Sequence, residues 1–124
     1  MKHGFKSDLV VRLLDDLAHN GRGLWELHEP LEYHARDGRR FTVPAGTQTD
    51  FASVPRLPVS YAVFGDCAHR PAVLHDYLLA QGLTIRHEAD AYFFEAMLAT
   101  GMPAWKASIM HQAVRAYSES LAGD

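Results

Sequence analysis

The chain has 124 residues, of which 48% are hydrophobic and 22% are charged, and its formal net charge is −3. This size and composition predict one domain, residues 1–124, with a buried core that needs no disulfide or metal to fold. Nucleic-acid-binding surfaces are usually basic, so we expect no nucleic-acid partner. No apolar run approaches the ~20 residues of a membrane helix, the N-terminus lacks an export signal, and a single cysteine suits a reducing cytoplasm.

The first part of the chain predicts β-strands. Four runs have the aliphatic or alternating pattern of strands, at residues 9–14, 24–28, 31–36 and 39–43. Asp37-Gly38 lies between the last two runs and predicts a two-residue hairpin turn, because glycine tolerates the positive φ that such turns need. We therefore expect a small N-terminal antiparallel sheet of about four strands. His34 lies on the polar face of its strand and His28 at a strand end, and both are expected to be solvated. Residues 47–58 contain two prolines and predict an irregular loop.

The second part predicts three helices, at about residues 68–81, 86–100 and 103–120. Pro71 fits the first turn of its helix, and Gly82 and Gly101 are typical stop signals. The apolar face predicted for the third helix consists of Trp105, Ile109, Met110, Ala113, Val114, Ala116 and Tyr117. His111 and, in the second helix, Glu95 are expected to face solvent. A small sheet followed by a three-helix cluster is an α+β fold.

A His-Asp step lies in the middle of the first predicted helix. His75 and Asp76 are surrounded by aliphatic residues on nearly the whole circumference, which is typical of a central helix. Ionisable groups in such surroundings need partners. His69 lies seven residues before Asp76 and on the same helical face. Asp90 falls on the apolar face of the second helix, although an acid in a first turn also complements the helix dipole.

The predicted loop carries a further acid. Asp50 could cap backbone amides, or it could present its carboxylate to a metal or substrate. Ser53 could act as a nucleophile only if a base lay within hydrogen-bond reach. Cys67 precedes the first helix, where the dipole lowers the pKa of a thiol, but a lone cysteine also serves as a small hydrophobic residue.

Together these residues form a candidate metal-binding set. Its members are Asp50, His69, His75, Asp76 and Asp90. Imidazole and carboxylate are ordinary ligands of zinc, manganese and iron. The alternative is a buried His–Asp network with a purely structural role. The motifs His-Glu-x-x-His and Cys-x-x-Cys are absent from the sequence.

The same residues resemble a known family. The resemblance is carried by Thr49-Asp50-Phe51-Ala52-Ser53-Val54-Pro55-Arg56, Ala72-Val73-Leu74-His75-Asp76-Tyr77-Leu78 and Ala89-Asp90-Ala91-Tyr92-Phe93. These segments are similar to the phage- and prophage-associated family called domain of unknown function 1353. The resemblance implies a small bacterial or phage protein, often encoded among phage structural or lysis functions. It also implies that Asp50, Ser53, His75, Asp76 and Asp90 are family-like positions, whereas His69 and Cys67 lie outside the pattern.

The first functional hypothesis is a small metal-dependent hydrolase. In it, His75, Asp76 and Asp90, with Asp50 or His69, would bind one divalent ion, either zinc or manganese, that activates water. The catalytic residues would be Asp50, His75 and Asp76. The substrate could be a phosphodiester or cell-wall material, and the sequence does not choose between them.

Two other hypotheses use the same residues differently. In one, the protein is a non-enzymatic phage component, such as a tail-assembly or host-interaction protein, and the residues form a structural network. In the other, it binds a small ligand, with Asp50 and Ser53 on one wall of a pocket. The expected partners are phage structural or host proteins, and the expected location is the cytoplasm of the bacterial host or the virion. No membrane insertion is expected.

Overall fold

The computed structural model describes residues 3–18, 23–51 and 68–122. Within these ranges the chain has six strands followed by three helices, which confirms the α+β prediction. The strands are β1 (Gly4–Phe5), β2 (Val11–Asp15), β3 (Leu24–Leu27), β4 (Leu31–His34), β5 (Arg40–Val43) and β6 (Gln48–Thr49). The helices are α1 (His69–Ala80), α2 (Arg86–Ala99) and α3 (Ala104–Ala122).

The strands form two antiparallel sheets instead of the single sheet of about four strands that the sequence predicts. One sheet has the order β1-β4-β5 and the other has the order β2-β3-β6. Strands β1 and β6 were not predicted, because a strand of two residues is too short to show a period. The loop predicted from residue 47 is wrong at Gln48–Thr49, where β6 pairs with β3 through Trp25 and Thr49. This pairing brings the chain to Asp50 beside the second sheet.

The hairpin between β4 and β5 confirms the strongest local prediction, but its loop has three residues and not two. The Ala35 N–H donates to the Arg39 carbonyl at 2.8 Å, so residues 36–38 form the loop. Gly38 takes the positive φ, at 94°. The Asp37 carboxylate accepts the Arg39 N–H at 3.0 Å. A turn followed by a left-handed glycine is the usual three-residue hairpin connection.

Helix α1 is the central helix, as its all-round apolar sequence indicates. Its buried side chains contribute to two apolar clusters. Val73 packs into the cluster that contains Val43 and Phe93, whereas Leu74 packs into the cluster that contains Tyr33. Full burial of one large apolar side chain contributes about 1.5–3 kcal/mol. Because α1 supplies both clusters, its orientation is fixed relative to the strands and to α2.

Helix α3 packs through a different stripe from the one predicted. Met110 and Val114 are buried as expected, together with Ala107. Trp105 and Ile109 are 59% and 50% exposed. Ala113 and Ala116 are exposed too, so the predicted burial of these four residues is wrong. Ala107, Met110 and Val114 follow one another at intervals of three and four residues, so they form the single stripe that α3 buries. No helix in the described ranges is long and apolar enough to cross a membrane.

Candidate functional site

The buried centre of the candidate site is a histidine–aspartate pair between α1 and α2. The His75 Nε2–H donates to Asp90 Oδ1 at 2.7 Å, and the two residues are only 3% and 4% exposed. The imidazole also packs on the Phe93 ring, with 5.1 Å between the ring centroids. Gly82, at φ 63°, lies in the short connection that lets α2 return along α1. The pair therefore joins two neighbouring helices inside the core.

Asp76 extends this pair towards the surface. Its Oδ1 lies 3.8 Å from His75 Nδ1, and its side chain is 25% exposed. The three side chains Asp90, His75 and Asp76 thus form a carboxylate–imidazole–carboxylate row. One end of the row lies in the core and the other reaches solvent.

The exposed end of the row opens into a cleft between β6 and α1. The cleft has a volume of about 710 Å³, and both Asp50 and Asp76 line it. This volume is in the range of sites that bind small molecules. The structure therefore brings the loop acid and the helix acid to one cleft, although they are 26 positions apart in the sequence.

The residue after Asp50 holds a strained backbone conformation. Phe51 has φ 55°, in the left-handed region that non-glycine residues rarely occupy. Its N–H donates to Thr49 Oγ1 at 3.0 Å, and its ring packs edge-on against Trp25 and His69, with centroid distances of 6.1 and 4.8 Å. Backbone strain of this kind persists only where the surroundings impose it, and it is frequent at functional sites. Packing of Phe51 thereby sets the direction in which the chain leaves Asp50.

The predicted site residues fall into three groups. His75, Asp76 and Asp90 form the row, and Asp50 shares the cleft with Asp76. The His69 ring instead packs against Phe51. Ser53 and Cys67 lie outside the described residues. Within the described ranges, no three His, Cys, Asp or Glu side chains are grouped closely enough to hold a metal ion.

Several residues that line the cleft were missed by the sequence analysis. Gln48 lies on the strand side, and Tyr77 and Gln81 lie on the helix side. Val73, Tyr77 and Gln81 are spaced by four residues, so helical periodicity places them on one stripe beside Asp76. That spacing could have identified Tyr77 and Gln81 from the sequence. Gln48 offered none, since β6 was not predicted.

A second polar cluster joins the hairpin to α2, away from the cleft. The Tyr33 hydroxyl donates to Glu95, which also accepts the Arg36 N–H at 3.1 Å. The solvent-facing position predicted for Glu95 is therefore wrong. The Tyr92 hydroxyl donates to Asp37, and this hydrogen bond is the main cause that lowers the pKa of the Asp37 carboxyl. Burial, followed by the bond to Glu95, raises the pKa of Tyr33 far above its usual range.

The histidines outside the row differ in their surroundings. His28 is exposed, as predicted. His34 was also expected to be solvated, but it pairs with Glu32. His111 is partly buried against the Phe94 ring, and burial lowers its pKa.

Fold and site together define an α+β protein with a carboxylate-lined cleft between its second sheet and its central helix. The chain belongs to the family described as protein of unknown function DUF1353, whose model matches residues 25–114, more than half of the chain. The match runs from β3 into α3 and includes every described residue of the row and cleft except Leu24.

One relative is the Uncharacterized protein y4jT of Sinorhizobium fredii (strain NBRC 101917 / NGR234). It is 32% identical to this chain over 98 residues, which cover 77% of the chain and 29% of the relative. The chain thus spans less than a third of that relative's length. No solved structure matches the chain.

Proposed function

We propose that this protein is a small hydrolase whose active site is the cleft between β6 and α1. The observation that carries the proposal is the row Asp90–His75–Asp76, which runs from the core to a cleft that also contains Asp50. A buried imidazole between two carboxylates is costly unless each group is paired, so its presence beside a cleft favours a functional role. Phage or prophage origin, with a location in the host cytoplasm or the virion, is part of this proposal.

Asp76 is the proposed general base. Its carboxylate would accept a proton from a water molecule in the cleft as the water oxygen attacks the scissile bond. Asp50, on the strand side, would give a proton to the leaving group as that bond breaks. His75 is a positioning residue, since its ring lies 3.8 Å from Asp76 Oδ1 on one side and is hydrogen-bonded to Asp90 on the other. Acid–base catalysis of this kind contributes about 10²–10⁴ in rate.

A divalent metal is the proposed alternative to this direct acid–base role, in which Asp50 and Asp76, the two carboxylates of the described lining, would hold the ion instead of exchanging protons. Manganese suits carboxylate and water ligands, whereas zinc sites take three or four protein ligands. The described residues supply two cleft carboxylates and no group of three ligands, so we favour manganese over zinc. When bound, such an ion lowers the pKa of a coordinated water.

A non-enzymatic role in phage assembly or host interaction is the second candidate. The observation that favours it is the burial of His75 and Asp90 at 3% and 4%, which suits a pair that only fastens α1 to α2. Under this proposal the partners are phage structural or host proteins. Mass spectrometry of purified particles after prophage induction would detect the protein in virions if it has an assembly role.

Activity assays on matched carboxamide variants test the hydrolase proposal. Wild-type protein, Asp76→Asn and Asp50→Asn would be assayed on a chromogenic phosphodiester and on bacterial cell-wall material, with and without manganese. Asp8→Asn is the control, since Asp8 is exposed and does not line the cleft. We expect each cleft variant to lose about 100-fold or more in rate, while Asp8→Asn keeps wild-type activity.

Two results would contradict the proposal. One is equal activity of Asp76→Asn and Asp8→Asn. The other is the absence of turnover by wild-type protein on every substrate tested. Calorimetric titration of chelator-treated protein with manganese and with zinc tests the cofactor separately. If zinc binds and manganese does not, the metal proposed here is wrong even if the hydrolase stands.

A further inference from the structure

The charges of the cleft restrict the substrates it can take. Two of its described lining residues, Asp50 and Asp76, carry carboxylates, and none of the described lining residues is Lys, Arg or His. Where no divalent ion is bound, a phosphate or carboxylate group entering the cleft would face two like charges. Such repulsion grows as water is displaced from the site, because the effective dielectric constant falls. The described lining, without a bound ion, is therefore poorly suited to a phosphodiester.

The uncharged polar residues of the cleft suit a ligand that both donates and accepts hydrogen bonds. Gln48 and Gln81 line the cleft from opposite sides, one on β6 and one just after α1. A glutamine carboxamide can both donate and accept hydrogen bonds. Thr47 also lines the cleft, and its hydroxyl donates to the Pro44 carbonyl at 2.7 Å. Carboxylates and carboxamides together match a ligand whose own groups both donate and accept. Hydroxyl groups have this property.

Apolar surface lies between these polar groups. Leu24 on β3 and Val73 and Tyr77 on α1 line the same cleft. Ligand sites commonly combine such apolar walls with a few polar groups that fix orientation. A sugar ring presents both kinds of surface, with C–H groups on its faces and hydroxyls around its edge.

We propose that the cleft binds an uncharged, hydroxyl-rich ligand, a short oligosaccharide. The inference rests on the proposed function, and it names a glycan as the substrate class instead of a phosphodiester. Paired carboxylates facing one cleft are also the side chains on which most glycoside hydrolysis depends. Gln48 and Gln81 become specificity-determining residues that hold hydroxyl groups at the two rims.

Titration with three short ligands of different charge tests the ligand class. The full chain, labelled with ¹⁵N, would be titrated with neutral chitotetraose, with the cationic glucosamine tetramer and with an anionic dinucleotide. We expect chitotetraose to shift the amide resonances of residues 47–50 and 76–81, and we expect no change when salt is raised. The Gln48→Ala/Gln81→Ala double variant should bind about tenfold more weakly, because two hydrogen bonds are lost.

Gln112→Ala is the matched control, since Gln112 is exposed on α3 and lies outside the cleft lining. It should bind chitotetraose as the wild type does. The proposal is overturned if chitotetraose gives no shifts, or if only a charged probe binds at these residues. Its failure is separable from failure of the hydrolase. If a dinucleotide binds and is cleaved, the hydrolase proposal stands and the glycan proposal fails. If chitotetraose binds but no substrate is turned over, the glycan proposal stands and the hydrolase proposal fails.

Discussion

The Nε2 atom of His75 lies 2.7 Å from Oδ1 of Asp90, so one hydrogen bond connects α1 to α2 within the core. The two residues are 15 positions apart, and each lies in the apolar part of its own helix. Because the bond is shielded from water, removal of either partner leaves a polar group buried without compensation. The same bond fixes the imidazole against which Asp76 lies.

Truncation of Asp90 should therefore destabilise the protein strongly. We expect Asp90→Ala to lower the free energy of unfolding by about 3–5 kcal/mol, as is usual when one member of a buried pair is removed. Urea denaturation measures this change. Asp8→Ala, at an exposed position, should stay within about 0.5 kcal/mol of the wild type. A loss below about 1 kcal/mol for Asp90→Ala would show that the pair does not join the helices as described.

Tyr33 should give the protein an alkaline limit of stability. Burial raises the pKa of its hydroxyl in the folded state, so the folded protein resists a deprotonation that the unfolded chain undergoes near pH ~10. The stabilisation is complete below that unfolded pKa and is lost as the pH rises from there towards the folded value. Stability should thus begin to fall near pH ~10 and continue to fall as the pH rises further.

Tyr33→Phe separates this titration from other alkaline effects. At neutral pH we expect a loss of about 1 kcal/mol, since the hydrogen bond to Glu95 is removed. The fall in stability above pH ~10 should then be shallower than in the wild type. Urea denaturation at several pH values gives both quantities. Parallel curves for the two proteins would mean that Tyr33 does not titrate differently in the folded and unfolded states.

Phe51 permits a test of backbone strain. A left-handed conformation costs a non-glycine residue about 1–2 kcal/mol relative to the right-handed form, whereas glycine adopts it freely. Phe51→Ala and Phe51→Gly both remove the ring that contacts Trp25 and His69. We expect the glycine variant to be more stable than the alanine variant by about 1 kcal/mol, the reverse of the usual order. Equal stabilities would indicate that the backbone relaxes at this position.

Neighbouring residues on α3 should respond very differently to truncation. Met110→Ala removes a fully buried side chain and should cost about 2–5 kcal/mol. Ile109→Ala removes a half-exposed side chain and should change stability by about 0.5 kcal/mol or less. Thermal and urea denaturation of the two variants compare them directly. A larger effect at Ile109 would support the helix face that periodicity alone predicts.

Local patterns predicted those elements whose signals are repeated over several residues. The alternation in β4 and β5, and the apolar circumference around His75 in α1, were sufficient to identify a hairpin and a central helix. The burial of Asp90 on the apolar face of α2 also follows from its spacing to Phe93 and Met97. In these cases the pattern and the tertiary packing agree.

The predictions failed where the deciding contact lies far away in the chain. Glu95 is polar and its spacing suggests solvent, but Tyr33, 62 positions earlier, supplies its partner. Strand β6 forms because its residue Thr49 pairs with Trp25 at the edge of β3. On α3, Trp105 and Ile109 fit the apolar spacing but are exposed, and the stripe that packs on the rest of the protein includes Ala107 instead. None of these contacts leaves a periodic signal in the sequence.

The two tyrosine–carboxylate bonds between the hairpin and α2 have a consequence for motion. Tyr33 on β4 binds Glu95 on α2, whereas Tyr92 on α2 binds Asp37 in the hairpin loop. Each element supplies one tyrosine and one carboxylate, so sliding of the hairpin along α2 would break both bonds at once. The hairpin and α2 should therefore open as one cooperative unit in hydrogen exchange. His75 joins α2 to α1, and α1 forms one wall of the cleft. A ligand that stiffens this wall should therefore also slow amide hydrogen exchange in the hairpin loop, although that loop does not line the cleft.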